Sequence, residues 1–260
     1  MPSLKDLVRA VQQDLPVTLR MERWLIENAN PRYSERAIQF SDDFLRGKVG
    51  GNRKNRELHF RASGMGKCPR RRVLERIAHK GISEDFSSEQ SNTFATGNFM
   101  HRKWQMAGLT EGWLTDVEVP VLAPDQDLAG TMDGRIYDNS LFEYKTINSR
   151  GYRWVTSQGQ ANHDHKLQTG AYKILDPSLT AASIVYENKE TGEWREYRTY
   201  FTDELMDEVY SELEMLRTAV ATQKLPPIKP KCIDKEGMEY RRCPFRDSCL
   251  KIKDWPKESK

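Results

Sequence analysis

Apolar residues along this chain recur with two different periods, and the change from one to the other divides the sequence. Up to about residue 60 the period is helical: Leu4, Leu7, Val8 and Val11 share one face, and the region reads as two or three helical pieces joined by loops. The stretch from Gly47 to Asn55, GKVGGNRKN, is glycine-rich and basic, a loop signal. A helix is predicted from Pro69, a residue favoured at early helical positions, to about His79, with Gly81 ending it. A second is predicted from about Glu89 to Ala107, closed by Gly108. From Trp113 the period becomes two. LTDVEVPVLA, DLAGTMDGRIYDN and SLFEYKTIN read as three strands, the last two joined at an Asp138-Asn139 turn. HDHKLQTGAYKIL is helical again and Pro177 follows it; AASIVYENK and EWREYRTYF form a hairpin across Glu190-Thr191-Gly192. DELMDEVYSELEMLRTAVATQ is a long amphipathic helix with Leu205, Val209, Leu213 and Leu216 on its apolar stripe, and LPPIKPK stops it. This order predicts an α/β fold with a mixed central sheet flanked by helices. It divides into a helical N-terminal extension (1–60), a core (61–224) and a cysteine-bearing C-terminal segment (225–260).

Composition narrows the picture modestly. Charged residues make up 30% of the 260 and hydrophobic ones 37%, which predicts many solvated helix faces. No apolar run approaches the roughly 18 residues a membrane span needs. The first residues, MPSLKDLVRAVQQDL, lack the apolar core of a signal peptide, so the chain is read as cytoplasmic with no membrane partner. A net charge of +3 would not by itself indicate nucleic acid. The cations are clustered, however: Arg53, Lys54, Arg56, Arg61, Lys67, Arg70, Arg71, Arg72 and Arg76 fall within one short stretch, a density that suits a phosphate backbone or an ordinary solvated face.

Candidate chemistry sits on the predicted hairpin. Asp133 lies within GTMDG, and Glu143 and Lys145 lie in the next strand as Glu-Tyr-Lys. Residues two apart on a strand share a face, and the hairpin brings Asp133 close to them. Two adjacent carboxylates repel, and hard oxygen ligands suit Mg²⁺ or Mn²⁺, which can activate water and stabilise charge on a phosphodiester. The competing reading is a surface hairpin with a cross-strand ion pair. Against it, Glu143 is embedded among Leu141, Phe142, Tyr144 and Ile147, and buried charges need partners. Glu118, inside the preceding strand, either approaches the same centre or faces solvent by alternation. His163 and His165 read as surface residues at a helix N-terminus.

GTMDGRIYD followed by LFEYKT resembles motifs II and III of the RecB-like branch of the PD-(D/E)xK nucleases. Gly97 to His101 (GNFMH) resembles that branch's G-x-x-x-H element, and Gln168 to Tyr172 (QTGAY) its Q-x-x-x-Y element, in the family's order. The resemblance implies a restriction-endonuclease-like core. It implies that His101, Asp133, Glu143 and the backbone carbonyl of Tyr144 are metal ligands, that Lys145 is the catalytic lysine, and that Gln168 and Tyr172 orient the lysine or contact DNA. It further implies a Mg²⁺- or Mn²⁺-dependent DNA exonuclease acting on single-stranded or end-containing DNA in recombination, repair, phage DNA metabolism or CRISPR adaptation. A non-catalytic DNA-binding or scaffold subunit, or an endonuclease of the same fold, are the competing readings. Partners from recombination or CRISPR adaptation, and a homo-oligomer, are compatible with each.

Four cysteines in a cytoplasmic chain argue against disulfides. Cys68 stands alone, while Cys232, Cys243 and Cys249 crowd the C-terminal end; thiolates in this number suit zinc or an iron–sulfur cluster. The resemblance favours a 4Fe-4S cluster, because CRISPR-associated RecB-like exonucleases carry one cysteine before the nuclease motifs and three after. One departure keeps zinc open: ten residues separate Cys232 and Cys243, where the family has a short C-x2-C. Arg70 and Arg71, directly after Cys68, are candidate phosphate contacts.

Overall fold

A computed structural model of the chain describes residues 16–28, 31–49, 58–77, 88–235, 240–241 and 243–252. The predicted helix around Leu4 to Val11, the cations Arg53, Lys54 and Arg56, the stop at Gly81 and residues 253–260 lie outside them. The described elements run α1 (Val17–Glu27), α2 (Glu35–Leu45), β1 (Phe60–Arg61), α3 (Pro69–Ile77), α4 (Ser88–Glu111), β2 (Leu114–Ala123), β3 (Leu128–Ile136) and β4 (Leu141–Ile147). They continue with α5 (Ser149–Gln158), α6 (His163–Leu175), β5 (Ala181–Asn188), β6 (Trp194–Tyr200), α7 (Asp203–Ala221), α8 (Pro230–Ile233) and α9 (Arg246–Cys249).

The strands form one mixed six-stranded sheet in the order β1-β3-β4-β5-β6, with β2 also paired to β3. β2–β3, β3–β4 and β5–β6 are antiparallel, whereas β1–β3 and β4–β5 are parallel. Parallel neighbours need a crossover, and α5 and α6 supply it between β4 and β5. The register of β3 shapes the molecule. Leu128 and Ala129 pair with both β1 and β2, and Gly134 with both β2 and β4. Hence β1 and β4 share one edge of β3, at opposite ends, and between them that edge has no ladder partner over 130–133. The sheet opens there, beside Asp133.

Alternation on β4 separates two cores. Leu141 packs with Met132, Leu167, Ala171 and the α7 stripe Val209, Leu213 and Leu216. Phe142 and Tyr144 face the other way, onto Trp104 of α4 and onto Val17, Met21 and Trp24 of α1. β5 is buried along its whole length, as a parallel-paired central strand should be.

The hairpin turn at Asn139 (φ 60°), the Asp203 start of α7 capped by the Thr202 hydroxyl, and the α6 boundaries agree with the sequence pattern. Two features differ. Gly108 does not end α4; a Cβ there would lie 2.6 Å from Leu114, so this glycine lets helix and strand pack closely, and α4 ends before Gly112 at φ +74°. The helix α5, SRGYRWVTSQ, is not among the predicted elements: it is mostly polar, and Val155 is its buried residue. The Asn148 side chain caps it, accepting from Gly151 N at 2.8 Å, and Val155 fastens it to Ile184 and Tyr186.

Candidate active site

The opening between β3 and β4 is filled by polar groups from four elements. Asp133 Oδ2 accepts the backbone N–H of Tyr144 at 2.8 Å, a bond from side chain to main chain where the ladder lacks one. Lys145 Nζ lies 2.6 Å from Glu143 Oε1. Gln168 of α6 bridges the pair: its Nε2 donates to Glu143 Oε1 at 2.8 Å and its Oε1 accepts from Lys145 at 3.0 Å. Glu143 and Lys145 thus meet α6, while Asp133 reaches the opening from the side of α4, where His101 Nδ1 lies 3.6 Å from Asp133 Oδ2. The His101 ring stands edge-on to Tyr144, with centroids 4.7 Å apart.

Burial sets the electrostatics. It pushes the carboxyls of Asp133 and Glu143 up to about 7 each, against the opposing pull of Lys145 and aggravated by Glu118 for the first and by Asp133 for the second. Burial lowers the Lys145 ammonium, but Glu143 and Asp133 outweigh it and hold that group above the ordinary lysine value. Burial also lowers His101, so its imidazole is neutral at physiological pH. Glu143 Oε2 is buried with no hydrogen-bond partner among the described residues.

A buried, unpaired carboxylate oxygen is costly, and two such acids side by side more so. Hard oxygens with a neutral imidazole fit a divalent cation. Among the described residues no three His, Cys, Asp or Glu side chains already form a metal cage. With Lys145 paired to Glu143, the present arrangement is an ion-paired acid pocket whose donors suit such a cation.

Tyr172, expected near the lysine or DNA, is buried in the core. Its hydroxyl donates to the Thr131 carbonyl at 2.6 Å, and its ring takes the space a Cβ on Gly130 would need. It braces β3 ahead of Asp133 and also hydrogen-bonds the Gln168 side chain, which in turn accepts from Lys145. Sequence reasoning misjudged His165, which turns inward: Nδ1 lies 2.7 Å from the Tyr186 hydroxyl, and Tyr186 is the β-ladder neighbour of Lys145. Burial, then the charges of Lys145 and Lys67, push His165 down to about 3. The i, i+3, i+7 spacing of His165, Gln168 and Tyr172 was the available signal. His163 is at the surface as expected, against Glu208.

Among its described residues, the basic cluster does not form one open face. Arg70 is buried and its guanidinium donates to the carbonyls of Pro226 (2.8 Å) and Ile252, so it fastens the C-terminal segment rather than meeting a phosphate. Arg72 is buried against Glu212 at 2.7 Å, and Arg76 lies 3.4 Å from Asp127. Arg71, half-buried, pairs with Glu75 one turn on.

Cys68, Cys232, Cys243 and Cys249 line a single cavity closed by Ile228 and Phe245. None of the four is in a disulfide. Burial raises the Cys243 thiol, with Cys249 and Cys68 close enough to add to the effect. The four thiols share this cavity, but among the described residues no three of them are grouped closely enough to hold a metal ion.

No family model matches the chain, and no curated protein matches it in sequence. Among solved structures, the crystal structure of SSO0001 is 18% identical with a TM-score of 0.51, covering 91% of this chain and 96% of that one. LHK-Exo in complex with dAMP is 14% identical with a TM-score of 0.51, covering 65% and 91%. An alkaline exonuclease (LHK-Exo) from Laribacter hongkongensis is 13% identical with a TM-score of 0.47, covering 65% and 90%. At these identities the likeness concerns the fold: an α/β, restriction-endonuclease-like architecture with a mixed central sheet flanked by helices. No described helix is long and apolar enough to cross a membrane.

Proposed function

We propose that this chain is a divalent-cation-dependent DNA exonuclease that acts on single-stranded or end-containing DNA. The observation that carries the reading is the buried constellation of Asp133, Glu143, Lys145 and Gln168 at the opening of the sheet, with Glu143 Oε2 unpartnered among the described residues. The shared fold with LHK-Exo, a protein described as an alkaline exonuclease, supports it.

In this reading Asp133, Glu143, His101 and the Tyr144 carbonyl would hold Mg²⁺ or Mn²⁺, and the chemistry a bound cation would supply is polarisation of water and offset of the charge growing on the phosphate. Such a cation would bind the ionised carboxylates, so at Asp133 and Glu143 it would compete with protons and, at Glu143 Oε1, with Lys145. Its ammonium then faces the attacking water and the phosphate, where it orients the one and offsets the charge of the other. Gln168 keeps that ammonium in place through its carbonyl oxygen. Tyr172 fixes the strand that carries Asp133. The four cysteines would hold a 4Fe-4S cluster, with zinc the alternative, in a structural role; iron content and a brown colour after anaerobic purification test the first, zinc content the second.

End-labelled single- and double-stranded DNA with Mn²⁺ tests the reading directly. Lys145→Ala and Glu143→Ala should each lower the rate about 10²- to 10³-fold, the size expected for removing a group that stabilises transition-state charge. Unchanged degradation would remove these residues from catalysis. Degradation of covalently closed circles would favour an endonuclease, and DNA binding without cleavage a scaffold subunit.

A further inference from the structure

Glu118 occupies the middle of β2 in a conformation unusual for a strand residue with a Cβ. Its φ is +50°, in the left-handed region. The β2–β3 ladder pairs Val117 with Gly134 and Val119 with Met132, so Glu118 stands opposite Asp133 without pairing to it. Ordinary alternation would not require this twist. Its effect is seen in what the side chain reaches: Gln105 Nε2 donates to Glu118 Oε1 at 2.8 Å and to the Asp133 carbonyl at 2.8 Å.

Gln105 is one helical turn beyond His101, on the same face of α4. It is 1% exposed, and its own Oε1 is buried with no partner among the described residues. Thus β2 twists at Glu118 while its register with β3 holds on either side, α4 contributes a buried amide, and together they hold a third carboxylate on the side of Asp133 and His101. The negative charge of Glu118 is felt at both residues. In the ion-paired state this is unfavourable, since Lys145 is one ammonium among three acids and His101 is neutral. Strain and like charge collected at one point are repaid only if a cation enters.

We infer that Glu118 supplies a further carboxylate to the divalent-cation site, held toward Asp133 by Gln105. This rests on the proposed cation-dependent function and adds a residue on β2 to a centre otherwise drawn from α4, β3 and β4.

The test is Mn²⁺ binding, measured by calorimetry on the full chain, alongside thermal melting without metal. Glu118→Gln keeps the shape and an oxygen for Gln105 but removes the charge. It should melt like wild type and bind Mn²⁺ about tenfold more weakly, in the range found for residues supporting a metal site. Glu118→Gly relaxes the +50° backbone; it should melt no lower than wild type and still bind Mn²⁺ more weakly, separating strain from function. Asp133→Asn is the reference that should abolish binding. Binding lost in Asp133→Asn but unaltered in Glu118→Gln would overturn this inference alone. A wild-type protein that binds no Mn²⁺ would overturn the cation reading, and this inference with it.

Discussion

The acid pocket and the cysteine cavity are assembled in different ways. Asp133, Glu143 and Lys145 come from one hairpin, and the sheet, α4 and α6 wall them in with side chains that belong to the main cores. The cysteine cavity joins Cys68, at the start of α3, to Cys232, Cys243 and Cys249 from the far end of the chain. Its walls are the short helices α8 and α9, with Phe245 the buried apolar residue among them. The pocket is therefore walled by the main cores, whereas the cavity's C-terminal wall is tied back to α3 by the Arg70 bonds to main-chain carbonyls. Helix α3 serves both, since Arg70 points to the C-terminal segment and Arg72 to Glu212 on the core helix α7.

The largest stability effect expected is on the core side of α3. Arg72→Met removes a buried guanidinium and leaves the half-buried Glu212 carboxylate with the Gly66 N–H as partner, and should cost about 3 kcal/mol in urea unfolding. A loss under 1 kcal/mol, the range of exposed pairs, would mean α3 is not anchored there. Cys68→Ser should act on the other side alone. Limited proteolysis is expected to cut within the segment from Pro226 to Ile252 while the core remains intact, and simultaneous loss of the core would show that the two regions are not separable.

The pH response sharpens the contrast, because the acid pocket carries two carboxyls raised to about 7. With folded-state values near 7 for Asp133 and Glu143, against about 4 when unfolded, the native state holds protons more tightly. These groups therefore stabilise the fold at low pH, and that contribution is lost as pH rises from about 4 through 7. A cation that binds the ionised form reverses the trend. The rise in melting temperature caused by Mn²⁺ should thus be small at pH 5.5 and larger at pH 8, and a pH-independent rise would contradict the assignment. The smallest effect is expected at Arg71. Arg71→Ala removes an i,i+4 pair worth about 0.3–0.5 kcal/mol, so stability should barely change, while a weaker dependence of DNA binding on salt would mark a phosphate contact.

The hairpin was legible because alternation along a strand is a local property. Spacing alone places Glu143 and Lys145 on one face, Asp138-Asn139 at a turn, and Gln168 and Tyr172 on one stripe of α6. Helix α5 was not legible, since its fixing contacts to Ile184 and Tyr186 come from a strand later in the chain. The arginines after Cys68 illustrate the limit best. In sequence Arg70, Arg71 and Arg72 are equivalent cations, yet the fold buries the first and third in different polar surroundings and leaves the second half-open.

What the sequence determined by itself is which chemical groups the chain carries, and the face and order in which each strand and helix presents them. What the tertiary structure decided is how far each group is removed from water. That removal raises the carboxyls of Asp133 and Glu143 and lowers His101 and His165, while packing between distant segments sets the four cysteines around one cavity. Desolvation depends on neighbours supplied by distant parts of the chain, and no local pattern encodes them.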